Sequence, residues 1–162
     1  MKVFLPALFF VCFSLAVFGQ NKVPRFKDYP AGKIYTGKNA PVKLPTGDER
    51  MFRTRLTEAA KQKPNFAGHY VLTYWGCGAE CLNGAAIDVR TGKVSWIDFS
   101  ICCWGTDVDD NFEAINFRLD SKLIIFSGLR NEKEGDEGAH FYKFENGRFV
   151  FIKTVRNKKS RQ

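Results

Sequence analysis

The sequence predicts an α+β, mainly β domain: one N-terminal helix packed on an antiparallel up-and-down meander of about seven strands, as an open sheet or small barrel. Three observations lead to this prediction. A single stretch with helical apolar spacing precedes Pro64, and segments rich in Val, Ile, Phe, Tyr and Trp follow it. Tight turns then alternate with long connections between those segments, as expected of a meander.

Residues 1–19 have the pattern of a signal peptide. Lys2 supplies the charged start, an apolar run extends from Val3 to Phe18, and Gly19 places a small residue at the cleavage position. The run is too short and wrongly flanked for a transmembrane span. Cys12 lies inside it, so no lipid anchor is expected. We therefore expect a secreted or periplasmic protein.

An extended lead-in, residues 20–46, precedes the predicted domain of residues 47–155. The lead-in contains Pro24, Pro30, Pro41 and Pro45 together with several Gly and Lys, a composition with little regular structure.

The helix is predicted to begin at Thr46 and to end before Pro64. Thr46 is a suitable N-cap, and Glu49 three residues later completes a capping box. Apolar residues recur at helical spacing in between, namely Phe52, Leu56, Ala59 and Ala60.

The strands and their connections follow. Strands are predicted at 67–75, 84–89, 93–99, 112–118, 122–127, 139–145 and 148–155. Tight turns are predicted at 90–92, 119–121 and 145–147, where Asn146-Gly147 is a strong hairpin signal. Long connections are predicted at 76–83, 100–111 and 128–138. Every second connection of a meander lies at the same end, so the three long connections should gather at one end of the sheet, the long-loop end.

Charge is distributed unevenly along the chain. The full chain has a formal net charge of +8, and removal of Lys2 with the signal peptide leaves +7. The three long connections hold eight acidic and two basic residues, a net −6, so the remainder carries +13. Exposed loops on a rigid scaffold are where binding usually occurs. The candidate binding residues at the long-loop end are Trp75, Glu80, Trp104, Asp107, Asp109, Asp110, Glu134 and Asp136.

The basic excess includes a tail at residues 156–162. Two interpretations apply to it: a solvated, frayed terminus, or a weak contact with an anionic envelope surface. Export argues against nucleic acid as a partner of this basic chain.

The mature chain has four cysteines, Cys77, Cys81, Cys102 and Cys103, and an even number in an exported protein predicts disulfides. Our first expectation is two bonds between the 77/81 and 102/103 clusters. The alternatives are a Cys77–Cys81 bond with the other pair free or vicinal, a four-thiolate zinc site, and a nucleophilic cysteine. No metal and no cofactor are expected.

Residues of catalytic type do not form a recognisable set. His69 and His140, the two histidines, both lie on or beside predicted strands, where a buried, hydrogen-bonded imidazole is the first interpretation. The acidic stretches 107–113 and 132–137 are interpreted as solvated loops, because 107–113 lacks the glycine and the distant glutamate of an EF-hand loop. Calcium bound across both stretches is the alternative.

One phrase of the sequence is distinctive. Phe52-Arg-Thr-Arg-Leu56 is followed by Pro64-Asn-Phe-Ala-Gly-His-Tyr70 and then by Trp75-Gly-Cys-Gly78 with Cys81. It resembles the pattern of an uncharacterised family of small exported bacterial proteins, and the similarity continues through Phe117–Ser121 and the final hairpin. The resemblance implies export and a single domain, with no activity to transfer. The Cys102-Cys103 pair lies outside the pattern.

These features predict an exported binding or inhibitor/immunity-type protein whose acidic long-loop end engages a cationic partner such as a basic protein. Two alternatives stay open. The first is a cell-envelope hydrolase with carboxylates in the same loops, which would need a pocket with convergent, perturbed titratable groups. The second is a structural envelope module without a discrete ligand.

Overall fold

The computed structural model describes residues 22–104 and 111–156. The predicted signal peptide, the acidic residues Asp107, Asp109 and Asp110, and the basic tail from residue 157 onward lie outside them. Within the described residues, two short helices, α1 (Gly47–Met51) and α2 (Arg53–Ala59), precede eight strands. The strands are β1 (Tyr70–Gly78), β2 (Cys81–Asp88), β3 (Val94–Trp96), β4 (Ile101–Cys102), β5 (Ile115–Phe117), β6 (Leu123–Arg130), β7 (Gly138–Glu145) and β8 (Arg148–Val155).

The strands form one open antiparallel sheet in the order β1-β2-β4-β6-β7-β8, with β3 also paired to β2 and β5 also paired to β6. The mainly β, α+β prediction is therefore confirmed, and the sheet does not close into a barrel. The prediction of seven strands was wrong because β4 was assigned to a loop. This strand has only two residues, too few to show apolar alternation, and it exists through its pairing with β2 and β6.

The single predicted helix is two helices that meet at Phe52. The backbone of Phe52 has φ −94° and ψ 16°, outside the helical region, and its ring lies 4.8 Å from the Trp75 ring and 5.6 Å from the Trp96 ring. The residue at which the helix is interrupted is thus also the one whose ring packs against two tryptophans of the sheet. The predicted start is confirmed: the backbone N–H of Thr46 donates to Glu49 Oε2 at 3.1 Å.

The first half of β1 and the second half of β2 are covered on both faces. Leu56 of α2 packs with Val71, Ala85 and Ile87 on one face, all of them fully buried. The residues that alternate with these along the two strands, such as Leu72, point to the other face and join the larger core there. This double burial gives β2 a continuous run of buried residues where a half-exposed strand would alternate.

The larger core lies between β1–β2 and the second half of the sheet. Aromatic rings fill much of it, and Phe66, just before β1, packs its ring 5.1 Å from Phe144 and 5.9 Å from Phe117. Phe126 of β6 is also fully buried, with its ring 4.9 Å from the Phe99 ring. Such tilted and edge-on ring pairs add to the free energy of simple area burial.

The lead-in crosses the end of the sheet that holds the tight turns. Its backbone N–H groups donate to residues that flank the strands: Ala31 to Asp120 O at 2.9 Å, Tyr35 to Gly68 O at 2.8 Å, Ala40 to Val89 O at 2.7 Å and Lys43 to Gly92 O at 2.7 Å. Its described part, residues 22–46, has a 3₁₀ turn at Phe26–Asp28 and a bridge between Pro30 and Ser121. Its location leaves the opposite end of the sheet to the long connections.

Candidate functional site

The described parts of the three predicted long connections lie together at one end of the sheet, as the meander predicts. The first of them, 76–83, was wrongly predicted to be long: β1 and β2 extend through most of it and leave a two-residue turn at 79–80. Cys81 of β2 pairs directly with Cys102 of β4, which pairs on its other side with Leu129 of β6. Beyond β6, Ser100 and Asn131 exchange two hydrogen bonds at 2.9 and 3.0 Å. Short β4 therefore holds the first and third long connections on either side of the second.

Four acidic side chains of the described part of this end are exposed: Glu80, Glu132, Glu134 and Glu137. Glu80 and Glu132 have positive φ angles of 47° and 57°, so each lies at a sharp change of chain direction. Trp104 is half-buried, and its ring lies 6.1 Å from the Phe112 ring.

Trp75 has a different environment from the rest of the predicted binding set. It is 7% exposed and packs edge-on against Trp96 at 6.0 Å and on Phe52 in the core beneath α2. Trp75 shares its face of β1 with Val71, the face that α2 covers, so its side chain points into the core. We do not include it in the candidate surface.

Asp136 is held by an arginine that the sequence did not single out. Arg130 Nε donates to Asp136 Oδ2 at 2.7 Å and Arg130 Nη2 donates to Oδ1 at 2.9 Å, a two-bond pairing. Arg130 Nη1 also donates to the Tyr142 hydroxyl at 2.7 Å, and the guanidinium lies 4.9 Å from the centre of the Phe151 ring. The hydrogen bonds from Arg130 lower the pKa of Asp136, and burial raises the pKa of Tyr142.

These side chains border a cavity of about 430 Å³, which Asp98 and Phe149 also line. Tyr142 and Phe151 were missed in the sequence because each lies on a predicted strand. Arg130 was missed because it lies in a predicted connection from which only acidic and tryptophan residues were selected. The sequence did contain a signal for this cluster: Arg130 comes at the end of an apolar strand, and the two strands of the final hairpin that follow it are rich in aromatic residues. The pairing that joins them is long-range.

Replacing Asp136 by asparagine is expected to lower the free energy of unfolding by about 2 kcal/mol at neutral pH, because it removes charged hydrogen bonds from a site only 18% exposed. The Asp136 pKa is lower folded than unfolded, so its stabilisation is complete above about pH 4 and is lost as pH falls through the folded value. Urea unfolding at a series of pH values measures both effects.

The matched control is Asp120→Asn, because Asp120 pairs with Arg118 at 2.9 Å with both side chains more than half exposed. That change should cost less than about 1 kcal/mol. Equal losses for the two variants would contradict a special role of the Arg130–Asp136 pair.

The cysteine pairing differs from our first expectation. Cys77 is bonded to Cys81, with their Cα atoms 5.1 Å apart, while Cys102 and Cys103 are free. The two predicted bonds between clusters are therefore wrong. The clusters do adjoin, as expected, but the bulge between Gly76 and Gly78 brings Cys77 and Cys81 together within one hairpin.

The two histidines occupy opposite ends of the sheet. His140 is fully buried; Nδ1 lies 2.8 Å from Thr154 Oγ1 and Nε2 lies 2.9 Å from Gly128 O, which confirms its interpretation as a hydrogen-bonded core residue. Because a carbonyl oxygen can only accept, Nε2 must carry the hydrogen and donate it to Gly128. Burial lowers the pKa of His140, in keeping with a neutral ring.

His69 lies at the tight-turn end, with Nε2 4.0 Å from Asp88 Oδ2. Asp88 accepts hydrogen bonds from the backbone and side chain of Arg90, and burial together with Arg90 lowers the pKa of His69. Its Nε2 is buried and has no hydrogen-bond partner in the described part of the chain. The pair is at the far end of the sheet from the exposed glutamates and forms no joint site with them.

A larger, mainly apolar groove of about 990 Å³ lies between the lead-in and the C-terminal end of α2. Ile34, Tyr35, Val42, Leu44 and Pro64 line it, and Asn39 Nδ2 donates to the carbonyl oxygens of Ala60 and Gln62, both at 2.7 Å. None of the predicted site residues lines this groove.

Two observations bear on membranes and metals. No helix in the described part of the chain is long and apolar enough to cross a membrane. Within the same residues, no three His, Cys, Asp or Glu side chains are grouped so that they could hold a metal ion.

With this geometry established, comparison of the chain with family models, with curated proteins and with solved structures found no match.

Proposed function

We propose that this is an exported binding protein of the inhibitor or immunity type, whose acidic long-loop end engages a cationic partner such as a basic protein. The observation that carries the proposal is the convergence of the long connections through β4. Because β4 pairs with both β2 and β6, exposed Glu80 of the first connection and exposed Glu132 and Glu134 of the third lie at the same end of the sheet. Loops held on a rigid sheet in this way present a fixed arrangement of negative charges.

Charge complementarity is the main physical support. Opposite charges across an interface raise association rates and select partners, more than they raise affinity. Here the acidic loops contrast with a strongly basic remainder, so a cationic partner is attracted to one end and repelled elsewhere. Trp104, half-buried beside Cys103, provides aromatic surface of the kind that dominates binding energy in many interfaces.

The proposal is tested with a fluorescently labelled octalysine peptide as the cationic probe. Changing Glu80, Glu132 and Glu134 together to glutamine is expected to weaken its binding about tenfold at low salt, since three exposed charge pairs are lost. Raising the salt to about 150 mM should shrink the difference, because exposed charges are screened. Fluorescence anisotropy titrations measure both.

The control variant changes Glu58, Asp120 and Glu145 to their amides, the same loss of three negative charges on exposed or half-exposed residues away from the long-loop end. If it weakens octalysine binding as much as the first variant does, net charge and not location governs binding, and the proposal fails. If the protein alone hydrolyses an envelope polymer and the loop variant does not, the hydrolase alternative replaces it.

A further inference from the structure

The sulfur atoms of the long-loop end form a series across three neighbouring strands, β1, β2 and β4. Cys77 is bonded to Cys81 on the β1–β2 hairpin, and Cys81 lies directly opposite Cys102 in the antiparallel pairing of β2 with β4. Cys102 Sγ in turn lies 2.6 Å from Cys103 Sγ. Each cysteine thus adjoins the next, with the disulfide at one side and two free thiols at the other.

The central step of this series is suited to a covalent bond. Directly opposed residues of an antiparallel pair have Cα atoms about 4.5 or 5.5 Å apart and point to the same face of the sheet. A disulfide needs a Cα separation of about 4.4–6.8 Å. Cys81 and Cys102 meet this Cα condition whichever type of pair they form. Opposed Cβ atoms lie about 4.5–5.5 Å apart and a disulfide needs about 3.5–4.5 Å, so a bond between them requires only a small local adjustment of the strands.

We propose that the four cysteines are one thiol–disulfide exchange unit, in which the disulfide moves from the 77/81 pair to the 102/103 pair through a Cys81–Cys102 bond. The inference uses the strand register and is independent of the proposed binding of a cationic partner.

The exchange balances without an external oxidant. The Cys102 thiolate attacks Cys81 Sγ; the Cys81–Cys102 bond forms, the bond from Cys81 to Cys77 breaks, and Cys77 leaves as a thiolate that takes up a proton. The Cys103 thiolate then attacks Cys102 Sγ, a Cys102–Cys103 bond forms, and Cys81 leaves as a thiolate and is protonated. One pair has been reduced, the other oxidised, and both protons released by the attacking thiols have been taken up.

Burial differs along the series in a way that suits exchange with other molecules at its two ends. Cys81 and Cys102 are 8% and 1% exposed, whereas Cys77 and Cys103 are exposed. A thiol or disulfide on another molecule can therefore reach the outer cysteines, and the inner pair is protected from side reactions.

The internal step should be slow at neutral pH. Burial, and next the neighbouring Cys103 thiol, raise the pKa of Cys102 to about 11. From the loop after β6, a hydrogen bond with the Glu132 backbone lowers this pKa and the charge of the Glu132 carboxylate raises it. Only the thiolate attacks, so the rate should rise about tenfold per pH unit between pH 7 and 9.

The first test isolates the central pair in the full chain carrying Cys12→Ser. Adding Cys77→Ser and Cys103→Ser leaves Cys81 and Cys102, which should form a disulfide in a glutathione redox buffer, seen as the loss of two hydrogens by intact mass. The matched control also has Cys81→Ser and Leu82→Cys, which moves the thiol one position along β2 to the opposite face. It should remain reduced, and equal oxidation of both variants would overturn the proposal.

A second test uses all four cysteines of the long-loop end and so does not depend on how well the variants fold. The Cys12→Ser protein is incubated at pH 7, 8 and 9, quenched with acid and then alkylated, and its disulfides are mapped by peptide mass spectrometry. We expect a Cys102–Cys103 disulfide to accumulate with time, faster at higher pH, while the Cys77–Cys81 bond is lost to the same extent. A Cys77–Cys81 bond that persists unchanged at pH 9 would show that no exchange occurs.

Discussion

Replacing Gly128 by alanine is expected to lower the free energy of unfolding by about 3 kcal/mol and to open the long-loop end. Gly128 lies on β6 with φ +135°, and a Cβ atom there would be 2.2 Å from the carbonyl oxygen of Cys102 on β4. Neither this φ nor this contact is tolerated by a side chain, so β4 must move away from β6. The carbonyl of Gly128 also accepts the hydrogen bond of buried His140, which the movement would weaken. Urea unfolding measures the loss.

The matched control is Gly47→Ala in the first turn of α1, where a Cβ would meet nothing within 4 Å. Alanine should be neutral or slightly stabilising there, because it restricts the unfolded chain. A second measurement tests whether β4 has moved. When Gly128→Ala is added to the protein with Cys12→Ser, Cys77→Ser and Cys103→Ser, the Cys81–Cys102 disulfide should form more slowly. If Gly128→Ala matches Gly47→Ala in stability, β4 is not held against β6 as described.

Replacing Phe66 by alanine is expected to cost about 3–5 kcal/mol, the range for a fully buried phenylalanine. Phe66 is 0% exposed, and its ring packs on those of Phe117, Phe144 and Phe149. Its backbone also pairs with Tyr70 through hydrogen bonds of 3.0 and 2.9 Å. The ring therefore joins the start of β1 to the second half of the sheet, and its removal leaves a cavity between them. Equilibrium unfolding in urea, monitored by tryptophan fluorescence, measures the cost.

Phe66→Leu keeps most of the volume and should cost less than about 2 kcal/mol. Met51→Ala, at a side chain 76% exposed, should change stability by less than about 0.5 kcal/mol. A loss below about 1 kcal/mol for Phe66→Ala would mean that the two halves of the sheet do not share this core.

The long-loop end and the opposite end of the sheet differ in chemistry. The first contains exposed glutamates, the Arg130–Asp136 pair and four of the five cysteines, Cys77, Cys81, Cys102 and Cys103. The second is covered by the lead-in and contains His69 with Asp88. The binding and exchange proposals concern the same surface. Their tests separate them, because the glutamate variant leaves every cysteine in place and the cysteine variants leave every glutamate.

The sequence alone predicted the features that depend on neighbours along the chain. Alternation and β-branched or aromatic composition located the strands to within a few residues, except for β4, and Thr46 with Glu49 marked the helix start. The alternation of short and long connections predicted that the latter share one end. These signals are local, and they failed where tertiary structure intervened: the helix is interrupted at Phe52, and strands occupy most of the predicted connection 76–83.

The tertiary structure decided which residues meet. The bulge before Gly78 places Cys77 on Cys81, and the pairing of β6 with β7 brings Arg130 to Tyr142. The core beneath α2 takes in Trp75, which packs on Phe52 where the helix is interrupted. Each depends on strand register or on the packing of residues distant in sequence. A one-residue shift of register would turn every side chain of a strand to the other face, and local composition does not determine that choice.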